Sequence, residues 1–372
     1  MRISPTSLPG RLALTAFVLA LPAVTGCHES SSEDSSSGSS SSSTGSSSSS
    51  SGATTTFPPS QQLTHVFPMQ TVAPGQEILG LCRSWTLNNE EDLWVNTVEF
   101  QQDQASHHSN FVYVPDTAYT GPDGIWTATS RNYDFYTAVG MGGVLFAQST
   151  QVLSQVQAFP GPSAIRVPAH SRVISDIHLL NITPDTVTGD AQITLDMLPA
   201  ADVQTKLSAF HMEYDALNIP AHSSAKFTAT CPVAASVAAS TGSPFGLQLY
   251  YAMPHYHTFA TGFLASILGG PKAGLSLIDV GALDGETRGV PYDPPIDMTG
   301  ADGFTFSCQY TNNGTYDVVW GFGGEEMCEL FGFAAATPFF QASVGTGTAE
   351  GASGTVQLFG GNCSTTVFAA SP

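Results

Sequence analysis

Short runs that alternate apolar and polar residues, cut apart by glycine and proline, recur along most of this chain and leave little room for a helical fold. Ile193-Thr194-Leu195-Asp196-Met197, Gly246-Leu247-Gln248-Leu249-Tyr250-Tyr251 and Thr355-Val356-Gln357-Leu358-Phe359 each have strand period and composition. Residues 166–180 hold two such runs, broken around Pro168-Ala169-His170. Turn signals at Gly161-Pro162, Pro184-Asp185 and Asn312-Asn313-Gly314 punctuate them, in a chain with 36 Gly and 24 Pro. The pattern predicts an all-β chain of antiparallel sandwiches and argues against βαβ units. The body from residue 57 to 372 is longer than one compact core usually serves, which predicts two domains. Residues 206–218 read as a short helix or an irregular connection. The junction is placed there, giving halves at 57–205 and 206–372, and no convincing internal repeat is visible.

The first 26 residues read as an export signal. Arg2 and Arg11 flank a polar stretch, and residues 12–23 form an apolar run too short to span a bilayer. The run closes on Val24-Thr25-Gly26-Cys27, which resembles the bacterial lipobox and implies lipidation at Cys27; an ordinary signal peptide with a nearby cysteine is the alternative. Residues 27–56 are dominated by Ser, Gly and Thr, with no apolar surface to offset ordering entropy, so a disordered tether is expected. The expected location is that of an exported bacterial lipoprotein, in the outer membrane, periplasm or cell surface, touching the membrane only through its anchor. A formal charge of −20 with 10 Lys plus Arg provides no basic stripe, which excludes nucleic acid as a partner. Beyond Cys27 stand Cys82, Cys231, Cys308, Cys328 and Cys363, an odd set with no Cys-x-x-Cys, so at least one is not paired within the chain and a thiolate zinc knuckle is disfavoured.

Chemistry concentrates in the histidines. His107 and His108 are adjacent, His178 lies in a strand-like run, and His255 and His257 form a His-x-His. Residues two apart on a strand point to one face, so His255 and His257 can converge on one metal. An adjacent pair points to opposite faces and can share a metal only at a bulge or strand end. Met327, in Gly321-Phe322-Gly323-Gly324-Glu325-Glu326-Met327-Cys328, adds a thioether, and a thioether with two imidazoles selects copper, Cu(I) above all, over zinc.

His-His, a later His, His-x-His and Glu-Glu-Met-Cys, in that order, resemble the signature of the copper type II, ascorbate-dependent monooxygenases, the family of the dopamine β- and peptidylglycine α-hydroxylating enzymes. The resemblance spans residues from roughly 75 to 340, from Ile78-Leu79-Gly80-Leu81-Cys82 through His178-Leu179-Leu180-Asn181 to Cys308-Gln309-Tyr310-Thr311-Asn312 and the Met327 segment. It implies two tandem jelly-roll-like antiparallel sandwiches and two copper ions. His107, His108 and His178 would bind the electron-supplying copper. His255, His257 and Met327 would bind the catalytic copper, where O₂ hydroxylates an sp³ C–H bond of a small substrate with ascorbate or a similar reductant. It further implies a Cys308–Cys328 disulfide. Cys231–Cys363 is the second pairing expected, which leaves Cys82 free, and Cys82–Cys363 is its rival.

Ser109 stands where the family usually has Met, and the Gly expected soon after His-x-His arrives only at Gly262. Met253, Glu329 and Phe331 replace the Arg, Asn and Tyr of peptide-amidating members, which disfavours a peptide-glycine substrate and suggests a more apolar pocket. Glu325 and Glu326 are expected to support ligands rather than catalyse. His65, His170, His211 and His222 are assigned surface or packing roles, and His28 lies in the tether. A copper-binding or copper-delivery lipoprotein without turnover is the competing reading, and a sandwich whose histidines bind nothing tightly is the third.

Overall fold

A computed structural model describes residues 61–104, 106–148, 152–281, 289–321 and 324–368, without the side chains of His107 and His108. The leader, Cys27, the Ser-rich tether and residues 322–323 of the Met327 segment lie outside the described residues. The fold is all-β, built of sandwiched sheets, with two short α-helices, Phe135–Met141 and Ala234–Thr241, among the described residues.

One eleven-stranded sheet runs through both halves. Its main path follows strands Gln61–Val72, Val187–Met197, Leu93–Gln102, Ser163–Val167, Thr205–Glu213, Cys328–Ala335, Gln248–Tyr256 and Val290–Asp297. A six-stranded sheet containing Glu77–Thr86, Ser171–Leu180 and Phe111–Pro115 belongs to the first half. A second, containing Ala260–Leu268, Gly303–Asn312 and Ser223–Cys231, belongs to the second half. Burial follows sequence period. In Ser223–Cys231 every second residue, Ala225, Phe227, Ala229 and Cys231, is buried.

Residues 206–218 contain no helix, and only residues 214–217 are an irregular connection. Thr205–Glu213 is a strand that pairs parallel with Ser163–Val167 through residues 205–207 and antiparallel with Cys328–Ala335 through residues 208–213. Leu207 and Ala209 enter one hydrophobic core, while Phe210 and Met212 enter the other. Both faces are covered, so the alternation that betrays a half-exposed strand is missing.

Both expected disulfides are present. Cys308–Cys328, with Cα atoms 5.9 Å apart, ties Gly303–Asn312 to the start of Cys328–Ala335, joining the two sheets of the second half. Cys231–Cys363 spans 132 residues. Cys82 is buried and free, and burial pushes its thiol up to about 12.

Candidate metal centre

Alternation decides which side chains the long sheet turns toward the first half. From Tyr251 onward, Gln248–Tyr256 runs in unbroken register against Cys328–Ala335. Tyr251 and Met253 share a face, and the row continues to His255 and then His257, one residue past the strand. Phe333, Phe331 and Glu329 form the facing row, with Met327 just before the strand begins. Tyr251, Met253, Phe331 and Phe333 pack into the first half's core, so the two histidines, Glu329 and Met327 extend an interface between the halves. The ladder ends at Tyr256 opposite Cys328, leaving His257 and Met327 as the next residue on each side. Both are buried, as is His255, and the two imidazole centroids lie 5.5 Å apart and nearly perpendicular.

Backbone carbonyls orient both rings. His255 Nδ1 lies 3.2 Å from the Gln148 carbonyl oxygen, and His257 Nδ1 lies 2.8 Å from that of Glu325. A carbonyl can only accept, so each Nδ1 carries the proton and each Nε2 carries the lone pair. Burial, which penalises the imidazolium, lowers His255 to about 4 and His257 to about 3; protonation of His211 or His178 would disfavour that of His255 further. Above about pH 5 both rings are neutral, the form that binds a metal.

Glu326 holds this geometry in place. Its fully buried carboxylate accepts from the amides of His257 (2.9 Å), Phe259 (2.6 Å) and Met327 (3.3 Å). Burial pushes this carboxyl up to about 8 against those three donors. Tyr310 Oη donates to the Met327 carbonyl at 2.6 Å, and Glu325 accepts from the Val319 amide. The two glutamates thus hold backbone, in line with the supporting role expected from sequence.

In the first half, Ser106–His108 pairs with Ser171–Leu180 so that His108 faces His178, while Leu179 faces Ser106. His107 is therefore skipped in the ladder. The register shift there is a β-bulge-type irregularity. His178 Nε2 is 2.9 Å from Glu77 Oε1. In the neutral ring Nε2 donates to that carboxylate and leaves the lone pair on Nδ1. Burial lowers the His178 pKa, against the raising effect of Glu77. The Ser109 amide donates to Gln148 Oε1 at 2.7 Å, so Gln148 touches the segment after the histidine pair and, through its carbonyl, His255.

A cavity of about 380 Å³ opens beside Met327 and is lined from both halves. Phe135, Tyr136, Trp320 and Phe331 give it the apolar wall expected, but Asp176, Glu213, Asp215 and Glu329 also line it. Sequence reasoning missed this acidic side and placed His211 as surface or packing. His211 is buried, stacks on Phe331 with centroids 4.2 Å apart, and lies with Glu213 and Glu329 in one cluster whose potential ligand atoms are all within 4.8 Å of one another. Burial opposes the charge on His211, yet the carboxylates of Glu213, Glu329 and Asp215 raise its pKa overall. Burial and then Glu213 push Asp215 up to about 7. The usable signal was His211-x-Glu213-x-Asp215, polar residues at period two. It becomes readable only once this segment is taken as a strand.

The other histidines fit the packing or surface roles expected where they are described. His65 stacks on Trp85, and His170 and His222 stand exposed at positive φ. Two disulfides belong to an oxidising compartment, and among the described residues no helix is long and apolar enough to cross a membrane.

No family model and no curated protein matches the chain. Among solved structures, PBCV-1 VP54 fitted into a reconstruction of the virophage Sputnik aligns at 8% identity and a TM-score of 0.25, over 75% of this chain and 95% of that one. Empty particles of cowpea mosaic virus give 8% identity and 0.32, over 73% and 90%. PNGase F, a glycosylasparaginase from Flavobacterium meningosepticum, gives 10% identity and 0.30, over 75% and 97%. At these scores none of the three bears on the chemistry of the site.

Proposed function

We propose that this chain is an exported, lipid-anchored copper-dependent monooxygenase that hydroxylates an sp³ C–H bond of a small substrate, using O₂ and a reductant such as ascorbate. The observation that carries this reading is one pair of buried, neutral imidazoles, each held through Nδ1 by a backbone carbonyl, with Met327, also buried, at the facing end of the same ladder and tied to His257 through Glu326. Two imidazoles and a thioether are a donor set for Cu(I). His255, His257 and Met327 would hold that ion, and His107, His108 and His178 a second one. When bound, copper supplies the one-electron chemistry with O₂ that an unactivated C–H bond requires.

The chain's own residues contribute position and exclusion. Glu326 ties the backbones of His257 and Met327 together, so both donors keep their places without a metal. The Gln148 carbonyl, from the first half, sets the His255 tautomer, and its side-chain oxygen accepts from the Ser109 amide that follows the histidine pair. Phe135, Tyr136, Trp320 and Phe331 offer aromatic surface beside Met327 to the body of a substrate.

The test is oxygen consumption by copper-loaded protein with ascorbate and a panel of small amines and apolar molecules. Wild type should consume O₂ with at least one panel member, and Met327→Ile should not. The swap conserves volume and should cost less than about 1.5 kcal/mol of stability. Uptake by the Ile variant at the wild-type rate, or stoichiometric zinc with no affinity for copper, overturns the reading. Tight copper binding with no uptake by wild type would point instead to copper holding or delivery.

A further inference from the structure

His211, Glu213 and Glu329 fall outside the six proposed copper ligands, and their arrangement has its own logic. Tyr136 Oη has one proton, and it donates to Glu213 Oε1 at 3.3 Å. Gln341 Nε2 donates to the same carboxylate and to Tyr136 Oη. The remaining contact of Tyr136 Oη, with His211 Nδ1 at 3.4 Å, therefore has the imidazole as donor. In the neutral ring the lone pair then sits on Nε2, buried and directed at Glu329 Oε2.

That pair of atoms is 3.3 Å apart and lacks hydrogen-bond geometry, although His211 is only 4% exposed. Ligands bonded to one metal at about 2.1 Å and set at a tetrahedral angle stand about 3.4 Å apart. The separation is thus long for a shared proton and right for one edge of a coordination tetrahedron. Charge balance points the same way. Glu213 and Glu329 are both buried and Asp215 adjoins them, so three carboxyl groups face a single imidazole whose pKa they raise, with no lysine or arginine among the described residues lining the cavity. Carboxylates taken out of water need a compensating cation.

We propose that His211 Nε2 and the carboxylates of Glu213 and Glu329 form a third metal site, for a zinc-type divalent cation, with its remaining coordination position open to the cavity. One imidazole and two carboxylates are borderline-to-hard donors, unlike the thioether set next to them. Glu329 lies opposite His255 in the ladder and shares a strand face with Met327, so the two sites would be neighbours with separate ligands. The proposal does not depend on copper binding at Met327.

The experiment uses protein first loaded with two equivalents of Cu(I), so that the imidazole sets proposed for copper are filled, and Co²⁺ as a spectroscopic stand-in for Zn²⁺. Wild type should bind one equivalent with the visible absorption of tetrahedral Co²⁺, and Zn²⁺ should abolish it. The band should persist in Met327→Ile and disappear in Glu329→Gln and His211→Asn. Because loss of a buried ligand can cost the fold, zinc-soaked wild-type crystals are measured alongside at the zinc edge. An anomalous peak among His211, Glu213 and Glu329 supports the proposal. No peak there, a peak only between His255 and His257, or a Co²⁺ band that survives Glu329→Gln overturns it and leaves His211 and Glu329 as a simple ion pair.

Discussion

Glu326 shows how much one side chain can decide. It accepts three amides that belong to neither a helix nor a regular ladder, and two of them are the amides of proposed copper ligands. Glu326→Ala would leave those amides buried without partners, at about 1–3 kcal/mol each. We expect a loss of several kcal/mol in urea unfolding and about 10- to 100-fold weaker copper binding. Glu326→Gln should fall between, since its carbonyl oxygen still accepts. An Ala variant as stable as wild type would show that the clamp is unimportant. At the same scale, Cys82 makes a simple prediction. Its pKa in the fold, about 12, lies above the ordinary thiol value because burial disfavours the thiolate, so it stays protonated and inert at pH 8. Iodoacetamide should not label the native protein and should label one thiol per chain on unfolding without reductant. The donor types proposed for copper could be picked out in sequence because few residue types bind that metal. His211 was not, because its partners Glu329, Tyr136 and Gln341 come from other elements and leave no local spacing.

Among the elements, legibility followed exposure. The run at 193–197 falls in a strand, those at 246–251 and 355–359 enter strands that begin at Gln248 and Val356, and the break near Pro168-Ala169-His170 is a bend in which His170 takes φ 58°. Thr205–Glu213 escaped because cores on both faces erase the period-two signal and because His211 and Glu213 put polar groups where a core residue was expected. The skipped His107 was likewise invisible, since a bulge depends on the partner strand. One element also carries a quantitative expectation. The Cys308–Cys328 link closes a loop of 20 residues, worth about 3 kcal/mol. It anchors the strand that begins beside Met327. A Cys308→Ser, Cys328→Ser double variant should lose about that much stability. It should also bind one copper weakly and the other normally, as read by copper titration. Equal weakening of both would mean that the disulfide acts on the whole fold rather than on this strand.

For the whole molecule, the shared eleven-stranded sheet is the governing feature. Strand Thr205–Glu213 sends Leu207 and Ala209 into one core and Phe210 and Met212 into the other, so neither half can lose this strand alone. Urea unfolding of the folded body should therefore be one transition, coincident by tryptophan fluorescence and circular dichroism. Two separated transitions would show that the halves are independent. Two sandwiches were legible from strand patterning and length, whereas the continuity of the sheet was not, because it rests on a parallel pairing between residues 163–165 and 205–207. The same continuity brings His255, His257 and Met327 to the border with the first half. Copper K-edge X-ray absorption on the reduced, copper-loaded protein tests this centre most directly. We expect nitrogen scatterers together with a sulfur scatterer that disappears in Met327→Ile while the copper that remains stays nitrogen-bound. A spectrum with no sulfur contribution in wild type, or one unchanged in the variant, would contradict it.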